Sequence, residues 1–251
     1  MTDLTGKRAL VTGASRGIGR AIAAAYARAG ADVALVARDE VRLAETAQLV
    51  ETAGRRAVVL TADVTSQEAV QAAVASAVEQ LGGLDIVVSN AGGNTFMSPV
   101  VGMRPSGWDK TLRLNLDSCF FVAQAVGPIL LEQRSGSLIN VSSVAGLTSA
   151  PLMAHYSAAK AALLSLTRSL ALEWAWAGVR VNALVPGWVA TDLTDFIRDN
   201  PDAETALIGR VPMQRWGQPE EIAQPAVFLA SDASSFVTGQ LLVADGGLSI
   251  T

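Results

Sequence analysis

The chain has 251 residues, of which 50% are apolar and only 17% charged, a balance that excludes intrinsic disorder. Its formal net charge of −4 argues against a nucleic-acid backbone as partner. A single cysteine, Cys119, excludes an intrachain disulfide and a thiolate metal cluster; within Cys119-Phe120-Phe121-Val122 it reads as a small buried hydrophobe, and no metal site is expected.

In chain order, short apolar runs predict strands at Arg8–Thr12, Val33–Ala37, Ala57–Thr61, Asp85–Ser89, Leu138–Val141, Val179–Val185 and Leu241–Ala244. Runs that are apolar throughout suit parallel strands covered on both faces. Segments of helical period lie between them, as at Val70, Val74, Ala77 and Leu81, where Thr65-Ser66-Gln67-Glu68 reads as a capping box. This alternation predicts an α/β fold: a doubly wound, seven-stranded parallel sheet with helices on both faces, formed by one domain over residues 1–251. A more polar stretch, about 191–217, interrupts the alternation and reads either as a lid over a cleft or as a surface excursion. Met1–Thr5 lacks a basic-then-apolar leader, and no uncharged apolar run is long enough to span a membrane, so a soluble cytoplasmic protein is expected.

The first strand runs straight into Thr12-Gly13-Ala14-Ser15-Arg16-Gly17-Ile18-Gly19 and then a helical pattern. Glycines at such a junction let the backbone approach a pyrophosphate, whose charge meets the positive end of the helix. The spacing G-x-x-x-G-x-G differs from the G-x-G-x-x-G fingerprint, and a tight turn that binds nothing is the alternative.

Tyr156 and Lys160 stand four residues apart on a helical pattern, with Ser143 thirteen positions before the tyrosine. An i, i+4 pair shares a helix face, so the ammonium is expected beside the phenol. A nearby cation favours phenolate and would lower a pKa that is otherwise about 10, making Tyr156 a usable acid or base. Ser143 follows the run Leu138–Val141, where its hydroxyl could hold a substrate oxygen; Ser142 is its rival. His155, the lone histidine, should diverge from Tyr156 by about 100° and face the cleft rim or a neighbour. Asn115, taken alone, reads as a structural polar residue.

Together with Asp63-Val64, Asn90-Ala91-Gly92, Asn115 and Pro186-Gly187 followed by Thr191, these motifs resemble the short-chain dehydrogenases/reductases, from Gly6-Lys7 to Asp245-Gly246-Gly247. The resemblance implies a Rossmann fold and a catalytic set of Asn115, Ser143, Tyr156 and Lys160. It implies that Asp63 and the Val64 amide contact adenine, that Asn90 steadies the sheet beside the cofactor, and that Lys160 also holds the nicotinamide ribose. Val189 and Thr191 would hold the carboxamide, and Asn115 would bind a water linking Lys160 to solvent. The implied cofactor set further includes Gly13, Ser15, Arg16, Gly17, Ile18, Gly19, Arg38, Ala91, Gly92, Tyr156, Pro186 and Gly187.

Ala37 falls where an NAD enzyme usually places an acid, and Arg38 and Arg16 could both reach a 2′-phosphate, so NADP(H) is expected over NAD(H). Asp39 should start the next helix and point elsewhere. The expected reaction is reversible hydride transfer between nicotinamide and a ketone or secondary alcohol. Overall the chain looks most like 3-oxoacyl-(acyl-carrier-protein) reductases, with an NAD(H)-dependent sugar, polyol or other alcohol dehydrogenase as alternative and a non-catalytic nucleotide-binding regulator as a remote one. Of the two basic residues that dock a carrier protein in that family, one position is Arg134 and the other is Ala177, which weakens that partner. Gly93, Asn94, Phe96, Ser149, Leu152, Met153 and Trp188 are expected in the cleft wall. Family members are commonly homotetramers, and Trp174 and Trp176 are candidates for a subunit interface.

Overall fold

The computed structural model describes residues 2–251. Seven strands form one parallel sheet: β1 (Arg8–Thr12), β2 (Asp32–Ala37), β3 (Ala57–Thr61), β4 (Ile86–Ser89), β5 (Gly136–Val141), β6 (Val179–Pro186) and β7 (Leu241–Ala244). Their spatial order is β3-β2-β1-β4-β5-β6-β7. Every predicted strand is present, with ends shifted by two residues at most. The helices are α1 (Gly17–Arg28), α2 (Glu40–Thr52), α3 (Gln67–Leu81), α4 (Pro105–Leu112), α5 (Ser118–Gln133), α6 (Ala145–Thr148), α7 (Ala154–Trp174), α8 (Asp195–Arg198), α9 (Pro201–Ile208) and α10 (Pro219–Ala230).

Two apolar layers explain why the strand sequences carry so few polar residues. On one face, Ile22 and Tyr26 of α1, Leu43 of α2 and Ile222 of α10 pack against Val11, Val33 and Leu35. On the other, Val74 of α3, Phe121 and Val126 of α5 and Leu170 of α7 pack against Leu10, Val87 and Leu138. Strand side chains alternate between these layers, so both faces of each strand must be apolar.

The chain winds outward from β1 to β3 and then returns to place β4 on the other side of β1. Connections diverge at this switch point, opening a crevice at the carboxyl ends of β1 and β4.

One sequence expectation needs correction. Thr65 does not open a capping box: Ser66 is the N-cap of α3 and accepts from the Ala69 amide at 3.2 Å, whereas the Thr65 hydroxyl donates to Asp63 at 2.8 Å. Trp174 is a buried member of the second layer, lying over Gly127, while Trp176 two residues later is 68% exposed. Pro105–Gln133 forms a continuous 29-residue helical stretch whose most apolar window has a mean hydropathy of 1.5, long and apolar enough by composition to cross a membrane. Half of its most apolar window is buried in this fold, as for a core helix.

Candidate active site

The turn after β1 is shaped by what glycine lacks. Gly13 has φ +65°, and a Cβ there would stand 2.8 Å from Asn90 Nδ2; a Cβ on Gly19 would overlap the Gly13 carbonyl oxygen. Gly17 has φ +55° and lets Thr191 approach, since a Cβ would lie 3.3 Å from its Cγ2. Helix α1 opens with no side-chain cap and no acid in its first turn, so its free N–H groups and dipole face the crevice uncompensated. Ser15 and Ile18 are half-buried in this turn and Arg16 is exposed.

Asn90, at the end of β4, holds the turn in place. Its Nδ2 donates to the carbonyls of Thr12 at 2.9 Å and Gly13 at 3.2 Å, and its amide donates to the Thr12 hydroxyl at 3.0 Å. The Ala91 amide shares that hydroxyl at 3.1 Å, and the hydroxyl itself donates to the Val88 carbonyl. Thr12 therefore ties β1 to β4, a role its place at a strand end does not announce.

Along the β2 and β3 edge, Arg38 follows buried Ala37 and makes no hydrogen bond or ion pair among the described residues. Asp39 caps α2 by accepting from the Arg42 amide at 3.1 Å, as expected. Asp63 accepts from the Thr65 amide at 2.9 Å, and this bond chiefly holds its carboxyl below the usual range, with the Arg38 charge contributing. Val64 beside it is buried.

At the carboxyl end of β5 the three residues of the Ser143–Tyr156–Lys160 constellation converge. The Ser143 hydroxyl accepts from the Ala145 amide at 3.2 Å and is close enough to lower the Tyr156 phenol pKa. Ser142 points away and donates to the Lys160 carbonyl at 3.0 Å, which removes it as the rival. Lys160, 3% exposed, donates through Nζ to the Val141 carbonyl at 2.9 Å and lies 5.8 Å from the Tyr156 ring centroid.

The expected acidification of Tyr156 is not present in this state. Burial pushes the phenol up, the Ser143 hydroxyl opposes that, and Lys160 contributes no counteracting shift. Burial also pulls the Lys160 ammonium down. A desolvated site disfavours both charged forms at once, and Lys160 spends its donor on a backbone carbonyl.

Asn115 is fully buried in a π-helical turn, Arg113–Asp117, between α4 and α5. Its side chain clasps Gly93, donating to the carbonyl at 2.9 Å and accepting from the amide at 2.8 Å, and donates to the Thr111 carbonyl at 3.0 Å. The side chain is thus occupied in fixing the loop after β4. A π-turn is frequent at functional sites, and here it turns a polar side chain into the loop. Gly92 fits beside it because a Cβ would lie 2.7 Å from Asn115 Oδ1 and 3.3 Å from Lys160 Nζ.

His155 is fully buried and stacks on Phe96, ring centroids 4.2 Å apart, so it meets a neighbour as expected. Burial holds its imidazole below the ordinary value. The Phe96 loop is joined to the loop carrying Ser149, Leu152 and Met153 by a bond from the Ser98 amide to the Leu152 carbonyl at 2.9 Å.

Pro186 ends β6, and Gly187 packs on Asp245, where a Cβ would lie 2.7 Å from the aspartate Cα. Val189 is buried, and the Thr191 amide donates to the Thr194 hydroxyl at 3.1 Å. The 191–217 stretch carries α8 and α9 and leans back on the crevice through Leu193, whose Cδ1 would be 3.3 Å from a Cβ on Gly93. Trp188 meets Trp216 edge-on at 6.2 Å, and Trp216 Nε1 donates to Glu204 of α9 at 2.6 Å. Arg215 closes the stretch with two 2.7 Å bonds to Glu221. Trp216 and Glu204 carried no motif signal, and neither did Asp192, whose carboxylate bridges Arg16 and Arg42.

A sequence profile described as enoyl-(acyl carrier protein) reductase matches residues 13–249. Gluconate 5-dehydrogenase of Gluconobacter oxydans (strain 621H) is 39% identical over 249 residues, 99% of this chain and 97% of that protein. A 3-oxoacyl-(acyl-carrier-protein) reductase of Thermotoga maritima is 38% identical over 247 residues, covering 98% of this chain and 99% of that one. The crystal structure of a Beutenbergia cavernae protein with NADP bound at low occupancy superposes with a TM-score of 0.95 at 37% identity, over 100% of this chain and 99% of that one. Fold, site and relatives together define an oxidoreductase that works with a nicotinamide cofactor. The chain belongs to the short-chain dehydrogenase/reductase family.

Proposed function

We propose that the protein catalyses reversible reduction of a ketone to a secondary alcohol with NADP(H). The observation that carries this reading is the convergence of Ser143, Tyr156 and buried Lys160 at the same end of the sheet as the glycine turn.

The residues present fit the cofactor. Gly13, Gly17 and Gly19 pack the turn against Asn90, Thr191 and the Gly13 carbonyl more tightly than a Cβ would allow, and the uncapped start of α1 suits a pyrophosphate. Asp63 and Val64 would contact the adenine, and Val189 and Thr191 would hold the carboxamide. When bound, nicotinamide would exchange a hydride with the carbonyl carbon. Ser143 holds the carbonyl oxygen and Tyr156 Oη delivers the proton to it. Lys160 would hold the cofactor ribose and stabilise the phenolate left behind. Asn115 keeps the Gly93 loop at the distance this geometry needs. The 191–217 segment serves as a lid that excludes water over the crevice.

For the cofactor, unpaired Arg38 after Ala37 supports NADP(H) over NAD(H), because a guanidinium recognises a 2′-phosphate and no carboxylate stands at position 37. Comparing kcat/KM for NADPH and NADH in the wild type and Arg38→Asp tests this; equal or better use of NADH by the wild type overturns it.

For the substrate, a free ketone or secondary alcohol is favoured over a thioester presented by a carrier protein. Arg134 stacks on Trp176 at 5.6 Å, and Ala177 is buried, so the pair of cations for an acidic partner is not assembled. An NADPH-consumption screen over ketoses, diketones, aryl ketones and 3-oxoacyl thioesters decides; activity with thioesters alone refutes the free-ketone reading. Exposed Phe120, Leu172 and Trp176 on the α5 and α7 side, with Val243 on β7, support assembly into a homotetramer.

A further inference from the structure

Two arginines from separate elements converge on one carboxylate oxygen. Arg16, the N-cap of α1, donates through Nη1 to Asp192 Oδ2 at 3.2 Å, and Arg42, in the first turn of α2, donates to the same oxygen at 3.0 Å. Guanidiniums brought this close repel each other unless an anion sits between them, so their arrangement is that of an anion site filled by an internal carboxylate. Burial raises the Asp192 carboxyl, but the bonds from Arg42 and Arg16 outweigh it and hold the group below its ordinary range.

The charges around this point balance. Arg16, Arg38 and Arg42 stand against Asp39, Asp63 and Asp192. A phosphomonoester carries roughly −1.5 to −2 near neutral pH, so it enters only if a carboxylate gives up its cations. Asp39 is committed to the α2 cap and Asp63 to the Thr65 amide and hydroxyl. Among the described residues Asp192 has no side-chain partners but the two arginines, and its side chain is 45% exposed. It is the acid free to leave. It also follows Thr191, which rests against Gly17 at the root of the 191–217 segment.

We propose that the adenosine 2′-phosphate of NADP(H) takes Arg16 and Arg42 from Asp192, and that Asp192 is thereby both a specificity-determining residue and the tether that this exchange releases. NAD(H), lacking the phosphate, leaves the bridge closed. The inference rests on the NADP(H) reading above and adds two roles to it: Arg42 joins the phosphate site, and Asp192 sets how tightly the phosphate is held.

The test uses fragments that differ only in the 2′-phosphate, 2′,5′-ADP and 5′-AMP, titrated calorimetrically into the intact wild type and Asp192→Asn. Removing the competing carboxylate should tighten 2′,5′-ADP about fivefold, the equivalent of one exposed ion pair, with 5′-AMP unchanged. Equal changes for both fragments, no change, or weaker 2′,5′-ADP binding overturns the proposal. If the wild type shows no preference for 2′,5′-ADP while Asp192→Asn acquires one, the competition stands and the NADP(H) reading falls; if neither prefers it, both fall. Trypsin supplies the second readout. 2′,5′-ADP should speed cleavage after Arg198 and Arg210 in the wild type, 5′-AMP should not, and Asp192→Asn should be cut at the faster rate without ligand. A wild-type cleavage rate indifferent to 2′,5′-ADP removes the tether.

Discussion

Lys160 Nζ donates to the carbonyl of Val141 at 2.9 Å and stands 5.8 Å from the centre of the Tyr156 ring. Lys160 is buried and Tyr156 half-buried, and desolvation moves them oppositely, the phenol up and the ammonium down, so that each is pressed toward its neutral form. Tyr156→Phe should abolish turnover while cofactor titration still shows binding. Lys160→Met should lose turnover too, with a thermal midpoint no lower than the wild type, because it removes a desolvated charge. A Lys160→Met protein that unfolds earlier than the wild type would show the ammonium to be structural.

Asn115 holds both backbone groups of Gly93 with one side chain. Asn115→Ala leaves those buried groups unpaired, a loss of about 3 kcal/mol at 1–3 kcal/mol per unsatisfied group. Denaturant unfolding measures it, and amide exchange at Gly93 should quicken in parallel. A change below about 0.5 kcal/mol would place the loop's anchor elsewhere.

Gly19 sits inside α1, where alanine would ordinarily help the helix by about 1 kcal/mol. Here a Cβ overlaps the Gly13 carbonyl oxygen and lies 2.5 Å from Asn90 Nδ2. Gly19→Ala should therefore cost about 1–3 kcal/mol through overpacking and weaken NADP(H) at least tenfold in a fluorescence titration. Unaltered affinity would separate the turn from cofactor binding.

Tyr26 is fully buried under α10 and donates to the Ala226 carbonyl at 3.1 Å. Burial raises its phenol far above the ordinary value. A raised folded-state pKa gives stability that is fully present below the unfolded value, about 10, and is lost as pH rises beyond it. The wild type should lose stability steeply from pH 10 upward. Tyr26→Phe should be about 1 kcal/mol less stable at pH 7 and flatter above pH 10, measured by urea unfolding at both.

Leu172 is 83% exposed on α7 and Trp176 is 68% exposed just beyond it. Leu172→Asp should dissociate the assembly in sedimentation velocity and leave the circular dichroism spectrum unchanged. An oligomer untouched by the change would put the interface on another face.

The strand–helix alternation was open to inspection in the sequence because parallel strands covered on both sides must be apolar throughout. The glycine turn and the Tyr156–Lys160 spacing were legible for the same reason: they are local geometry, set by φ freedom and by helical period. Trp174 and Trp176 show where this stops. Two residues apart with the same side chain, one is core and the other surface, and only the packing of α7 on α5 separates them. Asn115 gave a polar residue in a helix, but its hold on Gly93 needed the π-turn.

By itself, then, the sequence determined the sheet, the glycine turn and the Tyr156–Lys160 spacing, all consequences of short-range periodicity and backbone permission. Tertiary structure alone decided which neighbours surround them. Arg16 and Asp192 meet across 176 positions, and Arg42 and Asp192 across 150. The desolvation that raises Tyr156 and lowers Lys160 likewise exists only once the layers close over them. Charge pairing and burial depend on distance in space, and chain spacing carries that information only within a turn or two of helix.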